Sequence, residues 1–451
     1  MTRSFARLIL LFALIACLSP RAAFGQQAAS SVALDGRWNL VLQTPQGEFP
    51  TVVEFIVYRG GRVMASVLGP SGSFSISDAA GTLKGDRLRL SAKSSFGNLR
   101  VSARLEGGRL TGHWGPGGLI SGLFFRGELR GVRDQAYVRT PPVEVHDRLW
   151  ASLERSFYAP DFNGVDIRSL RERYRPQIAA SRTDGELHAI IRRMLAEFKS
   201  SHLDFFAMPR IHPQPGSAAA ADQSHGISWR QAAPSIGYLR IESFEDGPGV
   251  MARVDRAFSE LGHNPALIVD VRENGGGSLT TAMRLGDHIF AGQRPVGYFA
   301  GREGLMRRGA ASIDALDPAS LPLFTGYSSA DLAREMQSAG AVMLATGGRA
   351  PAPYRGRLVI LVDQYCFSAC EALASVAKEI GAATLVGRKT AGAMLAAFPV
   401  DLGGGWTLML PVWDFRTPGG VRVEGRGVEP NVPVRKSSGD LAAALRLLRA
   451  R

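Results

Sequence analysis

The chain has 451 residues, 45% hydrophobic, 8% aromatic and 21% charged, which excludes a disordered, collagenous or disulfide-scaffold protein. At roughly 150 residues per domain the length predicts about three domains, or two large ones, with cores that need no metal or disulfide staple. Lys and Arg number 53 against 40 Asp and Glu, a net +13, but the excess is scattered and not interleaved with aromatics, so no nucleic-acid partner is expected.

Arg3 and Arg7 precede an unbroken apolar run from Leu8 to Leu18. The run is shorter than the about 20 residues that span a bilayer, but it suits a secretory signal. Pro20 ends it, and Ala23-Phe24-Gly25 puts small residues before Gln26, so residues 1–25 read as a signal peptide. Leu14-Ile15-Ala16-Cys17 offers the alternative of a lipoprotein signal, with Cys17 acylated as a membrane anchor. Both readings predict export, and the periplasm is the expected destination.

Residues 33–132 alternate short β-type runs with glycine turns. Trp38–Leu42 and Val52–Val57 are two such runs. Gly85-Asp86 and Gly107-Gly108 each sit between two more, as hairpin turns do where glycine supplies positive φ. Consecutive hairpins predict an antiparallel barrel or sandwich. Gly36-Arg37-Trp38 is similar to the Gly-x-Trp opening of lipocalin-type barrels, and a structural barrel with Trp38 plugging one end is the expected form.

From about 143 the period changes. His146–Phe157, Asp166–Ala180 and Asp184–Lys199 carry helical spacing, with Asp184 a plausible N-cap. A Pro/Ala/Ser-rich connection follows at 211–233. Beyond it, strands at Ile236–Ile241, Ala266–Val271, Leu358–Val362, Ala383–Val386, Thr407–Leu410 and Val421–Val423 alternate with helices at Met251–Leu261, Leu279–Phe290 and about 368–381. Residues 292–352 read as a loop-rich insert with a short helix near Ala330–Ala339, and Leu441–Leu448 as a terminal helix. The alternation predicts a mostly parallel sheet with helical cover.

Two segments of this half are candidates for chemistry. Asp270-Val271-Arg272-Glu273-Asn274-Gly275-Gly276-Gly277 follows a buried strand and precedes a helix. Its glycines let backbone N–H groups turn outward toward a phosphate or an oxyanion, and the missing Gly-Lys-Ser/Thr ending disfavours phosphate. Tyr365-Cys366-Phe367-Ser368-Ala369-Cys370-Glu371 places a serine at a strand-to-helix junction. There it is either a helix cap or a nucleophile whose next N–H faces an oxyanion. Read as positions i and i+4 of one helix, Cys366 and Cys370 do not readily meet disulfide geometry. Two small buried side chains are expected, with pairing left open by an oxidising compartment. No further ligands lie nearby, so no metal is expected.

Ile236-Gly237-Tyr238, the Asp-x-Arg-x-Asn-Gly-Gly-Gly stretch, Ser368-Ala369-Cys370-Glu371, Val386-Gly387 with Thr390, Thr417-Pro418 and Gly427-Val428-Glu429-Pro430 follow one another in order. Over roughly residues 136–436 this set resembles the tail-specific (C-terminal processing) serine peptidases. The resemblance implies a crotonase/ClpP-like ββα core, with Ser368 as nucleophile and the N–H groups of Ala369 and of Gly275 or Gly276 as oxyanion hole. Many members pair the serine with a lysine in a Gly-Lys-Gly turn, but here the matching turn is Gly392-Ala393-Met394 and Lys389 is out of register. A serine hydroxyl needs an adjacent base. The branch similar to the tricorn core and its chlamydial relative uses histidine and glutamate. The matching places hold Ser200-Ser201-His202-Leu203-Asp204 and Glu424-Gly425-Arg426-Gly427-Val428. The resemblance therefore implies His202 as general base, Glu424 as the carboxylate orienting it or a linked water, and Ser201 in support. Glu429 is the rival carboxylate, and Asn431 stands where the family often has Asp.

The resulting expectation is a multidomain α+β and α/β chain. It comprises a signal peptide (1–25), a barrel-like domain (33–132), a helical part (136–210), a catalytic core (234–436) carrying the insert 292–352, and a C-terminal helix (437–451). The about 30 residues between Phe206 and Ser235 leave no room for a PDZ module. The expected function is an exported serine peptidase acting on peptide or protein substrates through an acyl-enzyme, without a cofactor. The alternatives are a non-catalytic carrier of hydrophobic small molecules and an envelope docking protein on the same scaffold.

Overall fold

In the computed structural model the described residues are 33–44, 47–70, 78–94, 97–116, 126–210, 226–348 and 353–449. The expected signal peptide and Cys17 lie outside them, as does the stretch 211–225 of the connection. Among the described residues no helix is long and apolar enough to cross a membrane.

Strands β1 (Gly36–Thr44), β2 (Gly47–Val57), β3 (Arg62–Val67), β4 (Ala79–Lys84), β5 (Arg87–Ser94), β6 (Gly97–Glu106), β7 (Arg109–Pro116) and β8 (Gly127–Arg133) form an antiparallel meander. β8 pairs back onto β1, so the meander closes as a barrel. Along each strand alternate residues turn inward, as the period of two demands: Leu99, Ala103 and Leu105 are buried while Arg100, Ser102 and Arg104 are exposed. Trp38 is fully buried and its indole N–H donates to the Leu34 carbonyl (2.7 Å).

Three helices follow: α1 (Pro142–Ser156), α2 (Ile167–Ala179) and α3 (Asp184–Ala196). Asp166 caps α2 as a short acceptor should. The expected cap of α3, Asp184, is one residue out. Thr183 is the cap and accepts from the Glu186 N–H, which leaves Asp184 buried in the first turn against Arg139. The barrel docks on this turn. The Glu54 carboxylate of β2 accepts from the Asp184 and Gly185 N–H groups (3.0 and 2.7 Å), the exposed donors of a helix start.

The remaining chain builds two sheets. In order of sequence come β9 (Asp204–Ala207), β10 (Ile227–Ala233), β11 (Ile236–Ile241), α4 (Pro248–Leu261), β12 (Ala266–Asp270), α5 (Leu279–Ile289), β13 (Pro295–Gly301), α6 (Arg302–Arg307), β14 (Leu323–Phe324), α7 (Ser329–Ala339), β15 (Ala341–Ala345), β16 (Arg357–Val362), α8 (Ala369–Glu379), β17 (Thr384–Gly387), β18 (Ala396–Gly403), β19 (Trp406–Arg416), β20 (Val432–Pro433) and α9 (Asp440–Arg449). One sheet runs β10-β11-β12-β16-β17-β20 and is parallel from β11 onward. Its strands are apolar on both faces because both are covered. Leu267, Val269 and Ile360 pack with α4, α5 and α8, while Ile268, Val359 and Leu361 pack with Ala444 and Leu448 of α9. The second sheet runs β14-β15-β13-β19-β18, with β9 on β19.

Three sequence expectations change here. The stretch 292–352 is not a loop-rich insert, since it supplies β13, β14 and β15 to the second sheet. Val421–Val423 is not a strand, because Val421 N–H returns to the Thr417 hydroxyl in a turn (3.1 Å). Cys366 and Cys370 form a disulfide with Cα atoms 5.5 Å apart. The helix objection fails because α8 begins at Ala369, so Cys366 lies in the preceding turn.

Candidate active site

Ser368 stands between β16 and α8 in a conformation that L-residues avoid, φ 54° and ψ −121°. It occupies the N-cap position of α8, but its hydroxyl makes no cap bond to the helix. Its backbone holds the shape instead. The Ser368 N–H donates to the Ala393 carbonyl (2.9 Å), and its carbonyl accepts from Glu371 and Ala372 (2.8 and 3.1 Å). The side chain is half-buried.

The glycine loop reaches this turn from β12. Phe367 N–H donates to the Asn274 carbonyl (3.2 Å), tying the two together. A Cβ on Gly276 would lie 2.7 Å from the Phe367 oxygen and 2.8 Å from the Ser368 Cβ, so only glycine fits there. The sequence left Gly275 and Gly276 as equal candidates for an oxyanion donor, and the geometry separates them. Gly276 N–H is committed to the buried Asn274 side-chain oxygen (2.8 Å). The Asn274 amide in turn donates to the Ile241 carbonyl (3.1 Å). Gly275 N–H has no acceptor among the described residues. Ala369, first residue of α8, has an N–H that no intrahelical carbonyl can reach.

On the other side lies a relay. Ser201 Oγ is 2.8 Å from His202 Nδ1 and donates to Glu424 Oε2 at 2.8 Å. The Ser201 N–H donates to Glu424 Oε1 (2.9 Å). Glu424 thus reaches the imidazole through Ser201 rather than directly. With the Ser201 hydroxyl proton directed at the carboxylate, Nδ1 is the N–H donor to Ser201 and Nε2 keeps its lone pair. His202 itself has φ 58°, a second strained position in the site. Burial pushes its pKa below 6.5, and the Glu424 charge pulls it partly back. The imidazole is therefore a neutral acceptor at neutral pH.

The relay and the turn bearing Ser368 share one scaffold. Glu424 Oε2 also accepts from the Met394 N–H (2.8 Å), and the preceding carbonyl, that of Ala393, takes the Ser368 N–H. No direct hydrogen bond joins His202 to Ser368 among the described residues. Such bonds are often long until substrate closes the site.

Sequence reasoning gave Glu371 no role. It is fully buried, and its carboxylate accepts from the Thr390 hydroxyl and the Gly392 and Ala393 N–H groups (2.6, 2.7 and 2.7 Å). Burial raises its pKa against those bonds. It fixes the turn that fixes Ser368, and the signal was its place one helical turn after the serine. Lys389 pairs with Glu429 at 2.9 Å, both exposed, so neither enters the site. Asn431 accepts from the Leu385 N–H (2.8 Å) and serves strand pairing. Among the described residues no group of three or more His, Cys, Asp or Glu side chains is arranged to hold a metal ion.

A strained serine at a helix start, a glycine N–H without an acceptor among the described residues and a histidine–serine–carboxylate relay thus lie in one core. Residues 235–434 match Peptidase family S41, and residues 144–196 match the Tricorn protease C1 domain. The family S41 match spans the core that carries these residues. It is 24% identical over 203 residues to the chloroplastic C-terminal processing peptidase of Tetradesmus obliquus; the match covers 45% of this chain and 35% of that relative. A crystal structure of a peptidase candidate from Parabacteroides merdae shares the fold at 18% identity and TM-score 0.51, over 69% of this chain and 98% of that one.

Proposed function

We propose that the chain is an exported serine peptidase that cleaves peptide bonds through an acyl-enzyme on Ser368. His202 Nε2 takes the Ser368 proton as the hydroxyl attacks the carbonyl, and later returns it to the leaving amine. Ser201 and Glu424 hold the imidazole in the tautomer that keeps Nε2 free and stabilise its positive charge. Ala369 and Gly275 N–H groups receive the oxyanion. Water then takes the place of the amine, with His202 again as base.

The observation that carries this reading is Glu424: one carboxylate bonds both the histidine's partner and the turn that holds the serine. The barrel, the helical part and the core are proposed as the working units, with the barrel as a docking or gating element. The periplasm is the proposed site of action, reached by the segment 1–25 or held at a membrane through Cys17.

Intact mass after fluorophosphonate treatment tests the assignment. One adduct is expected on wild type, at the peptide holding Ser368, and none on Ser368→Ala. An unlabelled wild type that carries a bound apolar molecule would favour the carrier alternative.

A further inference from the structure

We infer that the Cys366–Cys370 cystine is a positioning element of the proposed reaction: it clamps the turn bearing Ser368, and opening it slows acylation without unfolding the chain. This rests on the reading of Ser368 as nucleophile.

The two cysteines flank Ser368 by two residues on each side, so the disulfide closes a small ring around it. The ring's middle residue holds φ 54°, a conformation that persists only where its surroundings impose it. One end of the ring is hydrogen-bonded to, and the other rests against, the parts that must meet in catalysis. The Cys366 carbonyl accepts from the Ala391 N–H (3.2 Å), at the turn that Glu371 and Glu424 hold. Cys370 Sγ lies 3.6 Å from the Val271 carbonyl oxygen, where the chain leaves β12 for the oxyanion loop. The cystine therefore joins nucleophile, oxyanion loop and relay turn at one point.

Opening it has a local mechanical consequence. Both cysteines are fully buried within the large core cluster that also holds Val362, Ala369, Ala374 and Val428. Two thiols require van der Waals separation, about 3.5–4 Å, where one covalent bond stood. A close-packed interior yields only by moving backbone. The backbone nearest to hand is the turn 366–370, whose strained serine gains by relaxing. The Ser368 hydroxyl and the Ala369 N–H then leave their mutual alignment, while the sheet and helices stay. A chain whose cysteine pair is reduced is expected in this slow state, and oxidation brings it to full activity.

The test uses the full-length protein under native conditions. A phosphine opens the bond: two electrons from phosphorus and two protons yield two thiols, and water supplies the oxygen of the phosphine oxide. Alkylation and mass measurement verify the thiols. The fluorophosphonate labelling rate and kcat are expected to fall at least about tenfold, since misplacement of about 1 Å costs about a hundredfold. KM and the circular dichroism spectrum are expected to stay, and reoxidation to restore the rate. The Cys366→Ala/Cys370→Ala double variant is expected to match the reduced protein and to ignore the phosphine. If that variant does not fold, reversible reduction of wild type decides alone. Equal rates in oxidised and thiol-verified reduced protein would overturn this inference and leave the Ser368 assignment standing. Absence of labelling on oxidised wild type would overturn both.

Discussion

His202 and Ser368 share a feature invisible in sequence: each sits at positive φ, 58° and 54°, where no glycine marks the spot. The motifs around them were legible because polar residues in a fixed order imply a role; the strain was not, because it is imposed by partners that arrive from elsewhere in the chain. Glu371 shows the same limit. Its neighbours Thr390, Gly392 and Ala393 are about twenty residues away in sequence, and only the fold brings them to its carboxylate. The His202 pKa yields a signed expectation. The imidazole must be neutral to accept a proton, so kcat/KM falls as pH drops through its pKa. Burial places that acid limb below 6.5. Glu424→Gln removes the charge that raises the pKa, so the limb is expected to move further down while the plateau falls by about 10²–10⁴. A pH–rate profile checks both, and a limb that moved upward would remove Glu424 from the relay.

At the scale of elements, two glycines carry sharp expectations. Gly276→Ala puts a Cβ against the Phe367 oxygen at φ 88°. It is expected to push the loop from Ser368 and lower kcat by about 10²–10³, as loss of one oxyanion donor does, with KM little changed. Steady-state kinetics read this directly. Gly185 lies at the other interface, where a Cβ would come within 2.4 Å of the Ser66 hydroxyl of β3. Gly185→Ala is expected to cost about 1–3 kcal/mol by forcing α3 from the barrel, measured by denaturant unfolding, with labelling of Ser368 unaffected. The helices and parallel strands were readable from period and turn signals. The error over 292–352 has a physical reason. β13 holds Gly297 and Gly301 and pairs with β19 far along the chain, and the five-residue β15 joins the sheet through β13, so local composition resembled loop.

Across the whole molecule the barrel and the peptidase half meet through buried charge. Arg37 of β1 lies over the rings of Tyr137 and Trp406 (4.1 and 4.7 Å), donates to the Gly404 carbonyl (3.2 Å) and stands 3.9 Å from Asp184. Such a cation is costly to bury, and costlier to remove once its partner is buried too. Arg37→Ala is expected to destabilise by about 3–5 kcal/mol, and calorimetry is expected to show one transition in wild type and a separate barrel transition in the variant. A single unshifted transition would mean that the contact contributes nothing to docking. The sequence announced a barrel and a core but not this joint, because Arg37, Tyr137, Asp184 and Trp406 come from four separate segments.

In the proposed reaction a histidine far from the serine in sequence, and not the lysine near it, activates Ser368. Rates of peptide hydrolysis by His202→Ala and Lys389→Ala, measured side by side against wild type, test it most directly. The rate is expected to collapse in His202→Ala, by about 10³ or more, and to persist in Lys389→Ala, whose ammonium pairs with Glu429 on the surface. Full activity in His202→Ala with none in Lys389→Ala would contradict it.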